Sequence, residues 1–279
     1  MKRTLLYIIG IVAWLDVSAQ VTYLQADSIT ICRLLHDAPQ EAGTLWFAKR
    51  FKGVPYVAHT LEVNDVEQLV VNTRQLDCTT LVETVTALTL CVHQDRRTWN
   101  DYLTILQTLR YRQGVLDGYP SRLHYFSDWI DDKSQMQIVS EIQQPNPPFT
   151  AVQHIDVDFM SSHPQYYKAL QSHPEWVDDI RRQEQTLTGR ERRFIPKSAV
   201  RNTQLLRETV HDGDIIAITC NKKGLDIAHL GFAVWRKNGL HLLNASQLHK
   251  RVVEEPMTLY QYLKKHPTHT GIRVVRINQ

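Results

Sequence analysis

Asp77-Cys78-Thr79-Thr80-Leu81 carries a lone thiol into a segment whose apolar residues, Leu81, Val82, Val85, Leu88 and Val92, recur three or four apart. The spacing predicts a buried helix that begins at Cys78 with Asp77 as its N-cap. No Glu stands at the capping-box position three residues on. A thiol in the first turn sits among unpaired amide groups at the positive end of the helix dipole. With a cation close by, such surroundings lower a cysteine pKa from ~8.5 to roughly 3.5–7.5. The bland alternative is a small cysteine that only packs, favoured for an arbitrary Cys because free Cys is among the most buried residue types. Position in the helix reverses that preference only if a base can be found.

Outward from this stretch, Ile29, Cys32, Leu35, Ala42, Leu45, Phe47 and Ala48 suggest helical segments interrupted at Pro39. Phe51-Lys52-Gly53-Val54-Pro55-Tyr56 reads as a turn leading into extended chain, since Pro55 pushes Val54 out of the helical region. Residues 99–112 form a second helix with Tyr102, Leu103, Leu106 and Leu109 on one face, and another begins within 124–130. The breaker cluster Gln143-Gln144-Pro145-Asn146-Pro147-Pro148 opens a polar stretch, so residues 143–193 read as an insertion or lid, too poor in apolar residues for a core of its own. Its Arg190, Arg192 and Arg193 read first as a solvated face and second as an anion site. The last third reads as a small antiparallel sheet: residues 215–218, then 228–235, a hairpin signal at Asn238-Gly239, then 240–246, and a closing strand at 272–277.

The base comes from that sheet. Alternation from Ala228 puts Leu230, Phe232 and Val234 on a core face, and His229, Gly231, Ala233 and Trp235 on the other. An imidazole beside Gly231 and Ala233 leaves room for a helix terminus to approach closely. A lone His is more often a structural hydrogen-bonding group, but a thiol candidate upstream makes His229 the expected base. Asn244 and Ser246 share its sheet face and are candidates to orient its ring. A two-residue Asn238-Gly239 turn would pair His229 with Leu248 and leave Asn244 nearer Ala233, so Asn244 reaches the imidazole only through a bulge or a shifted turn.

Met1-Lys2-Arg3, an apolar run over 5–15 and Val17-Ser18-Ala19 read as a secretory signal peptide cleaved after Ala19. The run is shorter than the ~20 residues that span a bilayer, so no stable membrane insertion is expected. Taking Lys2 and Arg3 from 32 basic residues and Asp16 from 29 acidic ones leaves 30 and 28, a charge of +2 over the remaining 260 residues. That balance implies no nucleic acid partner, and the length suits a single domain over 20–279. Cys32, Cys78, Cys91 and Cys220 contain no CxxC pair. Cys78 and Cys91 on one helix would stand about 20 Å apart, beyond disulfide reach; Cys32 and Cys91 read as core packing, and Cys220 is open. No cofactor or metal is expected despite 13 histidines: there is no HExxH, no paired Cys or His at ligand spacing, and no phosphate-cradling glycine loop.

Taken together, Phe51-x-Gly53-x-Pro55-Tyr56, Asp77-Cys78, His229-x-Gly231 and Asn244-Ala245-Ser246, in that order, resemble the signature of the NlpC superfamily of papain-like cell-wall cysteine peptidases. More narrowly, Tyr56-Val57-Ala58-x-Thr60-Leu61-Glu62, Leu76-Asp77-Cys78-Thr79-Thr80 and the run from Arg122-Leu123-His124-Tyr125 to Trp129 resemble a branch once of unknown function and later described as N-acetylmuramoyl-L-alanine amidase-like. The likeness covers nearly all of 20–279. It implies an α+β, papain-like (NlpC-type) fold with N-terminal helices packed on the sheet and an added lid. It also implies a periplasmic setting in a Gram-negative bacterium, and cleavage of the amide between the muramic acid lactyl group and L-alanine in peptidoglycan fragments through a Cys78 thioester.

By the same resemblance Tyr56 lies beside the nucleophile, Glu62, Arg122, His124 and Tyr125 line the groove, and Thr79 and Ser246 join Tyr56 as substrate-binding or oxyanion candidates. Thr79 replaces the Ser usual after the cysteine, and the long Cys-to-His interval points to the specialised branch. Rival readings are a stem-peptide endopeptidase, a transglutaminase-like acyl transferase, which also runs Cys, His and a polar residue in chain order, and a catalytically inactive wall-binding protein. Oligomeric state is not legible.

Overall fold

A computed structural model describes residues 21–278; the segment read as a signal peptide, 1–19, lies outside them. The helices are α1 (Gln25–Asp37), α2 (Thr44–Ala48), α3 (Cys78–His93), α4 (Trp99–Arg110), α5 (Phe126–Gln135), α6 (Phe159–Ser162), α7 (Lys168–Ser172), α8 (Trp176–Leu187), α9 (Gln204–Thr209) and α10 (Leu259–Lys265). Strands β1 (Val21–Thr22) and β2 (Leu69–Val70) form a small parallel pair. The other strands are β3 (Val139–Ile142), β4 (Ala151–His154), β5 (Glu191–Pro196), β6 (Ile215–Cys220), β7 (Ile227–Arg236), β8 (Gly239–Ser246), β9 (Arg251–Glu254) and β10 (His269–Ile277). They make one eight-stranded sheet in the order β4-β5-β10-β6-β7-β8-β9, with β3 also on β10.

That sheet is wider than the sequence suggests. β3, β4, β5 and β9 are four to six residues long and mostly half-buried or exposed, so they lack the clean alternation that marks β7. The apolar face of β7 (Leu230, Phe232, Val234) packs with α1 to α5, and Ala233 on its other face packs with Leu259, Tyr262 and Leu263 of α10. α3 runs through the first of these cores, with every residue from Thr80 to Val92 buried. It is therefore held on all sides, which fixes where its first residue can lie. Behind it, Arg110 of α4 donates to Glu83 (2.7 Å) and to the Val70 carbonyl (2.6 Å), a fully buried ion pair tying α3, α4 and β2 together.

Residues 151–196 leave and rejoin the sheet through the β4–β5 pair, with α6, α7 and α8 between. Ile155, Val157, Met160, Leu170, Ile180 and Leu187 form a small apolar cluster there, completed by Tyr119 and Tyr125 of the main body. Arg190 and Arg192 are neither a solvated face nor an anion site. Both grip Asp131 of α5, at 2.5 and 2.6 Å, and so tie β5 to the body. The four cysteines are unpaired; Cys91 and Cys220 are buried, whereas Cys32 is exposed, because it lies with Arg33 on the side of α1 opposite the one that buries Ile31, Leu34 and Leu35.

Candidate active site

The backbone just before Cys78 is woven into the sheet edge. Gly53, at φ +92°, turns the chain so that its N–H donates to the Val252 carbonyl (2.9 Å), and Tyr56 N–H donates to Lys250 (2.9 Å). On the other side of this extended stretch, Leu76 N–H donates to Pro55 (3.0 Å) and Val57 N–H to Leu76 (3.2 Å). Then Asp77 caps α3. Its carboxylate accepts from the Thr80 amide (2.8 Å), and the Thr80 hydroxyl accepts from the Asp77 amide (2.9 Å). Thr80 thus completes the capping box for which the sequence offers no Glu. Cys78 is the first helical residue, partly exposed, with its sulfur in contact with the Leu230 and Thr79 backbone and the Thr79 side chain.

Contact with Leu230 puts the thiol at the start of β7, one residue from His229. The hairpin register differs from the one a two-residue Asn238-Gly239 turn would give. Arg236 pairs with Gly239 (φ +142°), so the turn is Lys237-Asn238 and every later pair shifts by two, which preserves the face. Continued along the strands, that register places Asn244 opposite Gly231 and diagonal to His229. His229 Nε2 lies 2.9 Å from Asn244 Oδ1. Of the two candidates it is therefore Asn244 that meets the imidazole; the Ser246 hydroxyl instead accepts from the His249 amide.

Behind Asn244 stands a residue that the sequence gives no reason to single out. Glu255, 2% exposed, accepts from Asn244 Nδ2 (3.1 Å) through one oxygen, and its other lies 3.2 Å from His249 Nε2. In Glu254-Glu255-Pro256 the two acids look alike, yet Glu254 meets Arg236 at the surface while Glu255 turns inward.

A cavity of about 200 Å³ opens over the thiol, lined among others by Cys78, Thr79, His229 and Leu230, with Glu62, His124 and Tyr125 opposite. Met160 and Tyr167, from the 151–196 segment, supply part of its wall. Arg122 does not line it. That side chain is buried under the Tyr119 ring, 4.7 Å from its centroid, and pairs with Glu62 (3.4 Å) and Glu67 (3.7 Å). His124 contacts the Tyr119 carbonyl (3.0 Å), and Tyr125 donates to Glu184 (2.7 Å). Tyr56 packs beside Cys78 as part of the core rather than in the cavity wall. Among the described residues no group of three or more His, Cys, Asp or Glu side chains is arranged to hold a metal ion, and no helix is long and apolar enough to cross a membrane.

The ionisation states run against the expectation of a thiol made acidic by its helix. Burial pushes the Cys78 thiol up to about 12, and the neighbouring Asp77 charge adds to it, outweighing the Leu230 and Thr79 contacts. Burial likewise lowers the His229 pKa, opposed by the Asn244 bond and by the Glu255 and Asp77 charges. Both shifts favour a neutral thiol beside a neutral imidazole. Burial, then the Cys78 and Asp77 charges, raise Tyr56 to about 12, so its hydroxyl stays protonated; burial and the Arg122 charge lower His124 to about 3, so it stays neutral.

Helices packed on an antiparallel sheet, with a thiol at a helix start and an imidazole at a strand start opening on one cavity, make this a mixed α/β protein. The AmiA-like model, described as N-acetylmuramoyl-L-alanine amidase-like, matches residues 46–272, and the chain belongs to that family. A crystal structure of a N-acetylmuramoyl-L-alanine amidase from Bacteroides uniformis is 39% identical over 88% of this chain and 100% of its own, with a TM-score of 0.79. A Bacteroides fragilis structure provisionally described as a xylanase is also 39% identical, over 82% of this chain and 99% of its own, with a TM-score of 0.77. A Legionella pneumophila structure, 22% identical over 91% of this chain and 95% of its own at a TM-score of 0.70, shares the fold. No curated protein matches the chain.

Proposed function

We propose that this chain is an exported cysteine amidase of papain-like, NlpC type that hydrolyses the amide between the lactyl group of N-acetylmuramic acid and L-alanine in peptidoglycan fragments. The observation that carries the reading is one cavity lined by both Cys78 and His229, with His229 Nε2 bonded to Asn244. The family description supports the bond that is cut. A glycosidase would need a pair of free carboxyl groups roughly 5–9.5 Å apart. Here Asp226 is taken up by the Ser127 and Ile227 amides and Glu62 by Arg122.

The neutral pair sets the order of proton transfers. As the Cys78 sulfur attacks the lactyl carbonyl, its proton passes to His229 Nδ1, the ring nitrogen left free when Nε2 faces Asn244. The imidazolium then protonates the departing L-alanine nitrogen as the C–N bond breaks, leaving a thioester on the sugar side. Water, deprotonated by His229, attacks that thioester; the C–S bond breaks, the lactyl carboxylate leaves and the proton returns to sulfur. The Cys78 amide, at the helix start where no intrahelical acceptor reaches it, is the oxyanion donor, one such donor being worth about 3 kcal/mol.

Mass spectrometry of products from a defined muropeptide tests the reaction. An intact stem peptide with a free L-alanine amine is expected, whereas fragments of the stem would make the enzyme an endopeptidase. Cys78→Ala should fold and not turn over; full activity in that variant ends the reading. N-terminal sequencing of the protein recovered from the periplasm of an expressing Gram-negative cell should begin at Gln20.

A further inference from the structure

We propose that Glu255 is a positioning residue that acts through Asn244 to hold His229 as the Nε2–H tautomer, with the Nδ1 lone pair free to take the thiol proton. This rests on the cysteine amidase reading. Asn244 is fully buried, and its amide has two ends of opposite hydrogen-bonding sense. A carboxylate only accepts. Glu255 Oε1, 3.1 Å from Asn244 Nδ2, therefore admits the amide one way round; reversed, it would set oxygen against oxygen. The amide oxygen is thereby turned to His229 Nε2 at 2.9 Å, and an oxygen there requires that nitrogen to carry a hydrogen. The chain from carboxylate to amide to imidazole thus selects a tautomer.

It also carries charge to where the mechanism needs it. With the resting thiol protonated, taking up its proton creates an imidazolium in a buried site, and the Glu255 charge favours that cation. The charged groups that act on His229 are Glu255, Asp77 and His266, with His269 and Tyr262 beside His266, and Cys78 lines the same cavity. Glu255 and Asp77 raise its basicity, and His266 lowers it. His249, 40% exposed, holds the second Glu255 oxygen and keeps the carboxylate from rotating away.

Glu255→Gln tests this. Glutamine fills the same space but both donates and accepts, so it tolerates either Asn244 orientation and removes the charge. With the fold intact by circular dichroism, kcat/KM should fall about 10- to 100-fold, the range typical of outer partners that orient an imidazole. The acid limb of its pH profile should move to lower pH, because His229 loses a charge that raised its pKa. Glu255→Asp should restore part of the rate. Ring ¹⁵N shifts of His229 in the free protein give a readout independent of substrate: one tautomer in the parent and a mixture in Glu255→Gln. In an Asn244→Ala background, Glu255→Gln should change the tautomer no further. An unmoved acid limb with an unchanged tautomer in folded Glu255→Gln overturns the proposal, whatever bond the enzyme cuts. Should Glu255→Gln fail to fold, the ring shifts of the parent protein decide: a single Nε2–H tautomer supports the proposal, and a mixture or the Nδ1–H tautomer overturns it.

Discussion

At the scale of single residues, the proposed chemistry turns on a thiol kept protonated by burial first and by the charge of its own cap second. The dipole and free amides at the start of α3 favour a thiolate, but Asp77 places a full negative charge one residue away, and burial disfavours any charge on sulfur. Asp77 caps the helix, and its charge acts against ionisation of the proposed nucleophile. The sign for alkylation follows: a raised thiol pKa keeps the thiolate scarce until the medium turns alkaline. Iodoacetamide should therefore modify Cys78 slowly at pH 6, with the rate climbing through pH 9 to 10, measured by peptide mass mapping in a variant whose exposed Cys32 is replaced by Ser. Fast labelling at pH 6 would instead mean a standing ion pair with His229. The placement of Cys78, His229 and Asn244 was legible because each sits in a local pattern, a helix start or an alternating strand, that assigns it a direction. Glu255 was not: a carboxylate in Glu254-Glu255-Pro256 carries no periodic sign of which neighbour turns inward.

At the scale of elements, the site is made by the register of one hairpin. Alternation in β7 gave the face of His229, and parity gave that of Asn244, but the distance along the strands depended on which two residues turn. Asn238-Gly239 has the composition of a type I′ turn. The chain turns one position earlier, at Lys237-Asn238, and Gly239 uses its freedom at φ +142° within the first pair of β8. Gly231 then permits the strands to close: a Cβ there would stand 2.7 Å from the Leu243 carbonyl oxygen and 2.8 Å from the Leu242 side chain. Gly231→Ala must push β8 away just where Asn244 meets His229. A loss of about 1–3 kcal/mol by urea unfolding is expected, together with a fall in kcat larger than any change in KM. Unchanged stability and rate would show that β8 has slack at this point. The same close approach explains why the strand carries a glycine beside its histidine, a pairing legible in sequence only as spare room.

At the scale of the whole molecule, the cavity is closed by a segment that is weakly apolar and held largely by polar ties. Along 163–193 the apolar residues are scattered over short helices, so no periodicity announces the cluster they form, and its completion by Tyr119 and Tyr125 from outside the segment could not be read from composition. Its anchor is Glu184, 2% exposed on α8, whose Oε1 accepts from the Tyr125 hydroxyl (2.7 Å) and from the Met160 and Ser161 amides (3.0 and 3.1 Å). Among the described residues the second oxygen has no partner, so the carboxylate depends on these three donors. Met160 also lines the cavity, which makes the tie a link between segment and site. Tyr125→Phe removes the one side-chain donor and leaves the buried carboxylate short of a bond, at a cost of about 1–3 kcal/mol. Because Arg190 and Arg192 still clasp Asp131, the loss should fall on the segment rather than on the sheet. Amide hydrogen exchange should quicken across 159–187 while α3 and β7 keep their protection, and KM for the muropeptide should rise several-fold with little change in kcat. Exchange that quickens evenly over the whole chain would mean that the segment and the body unfold as one unit, and that its polar ties do not set the state of the cavity wall.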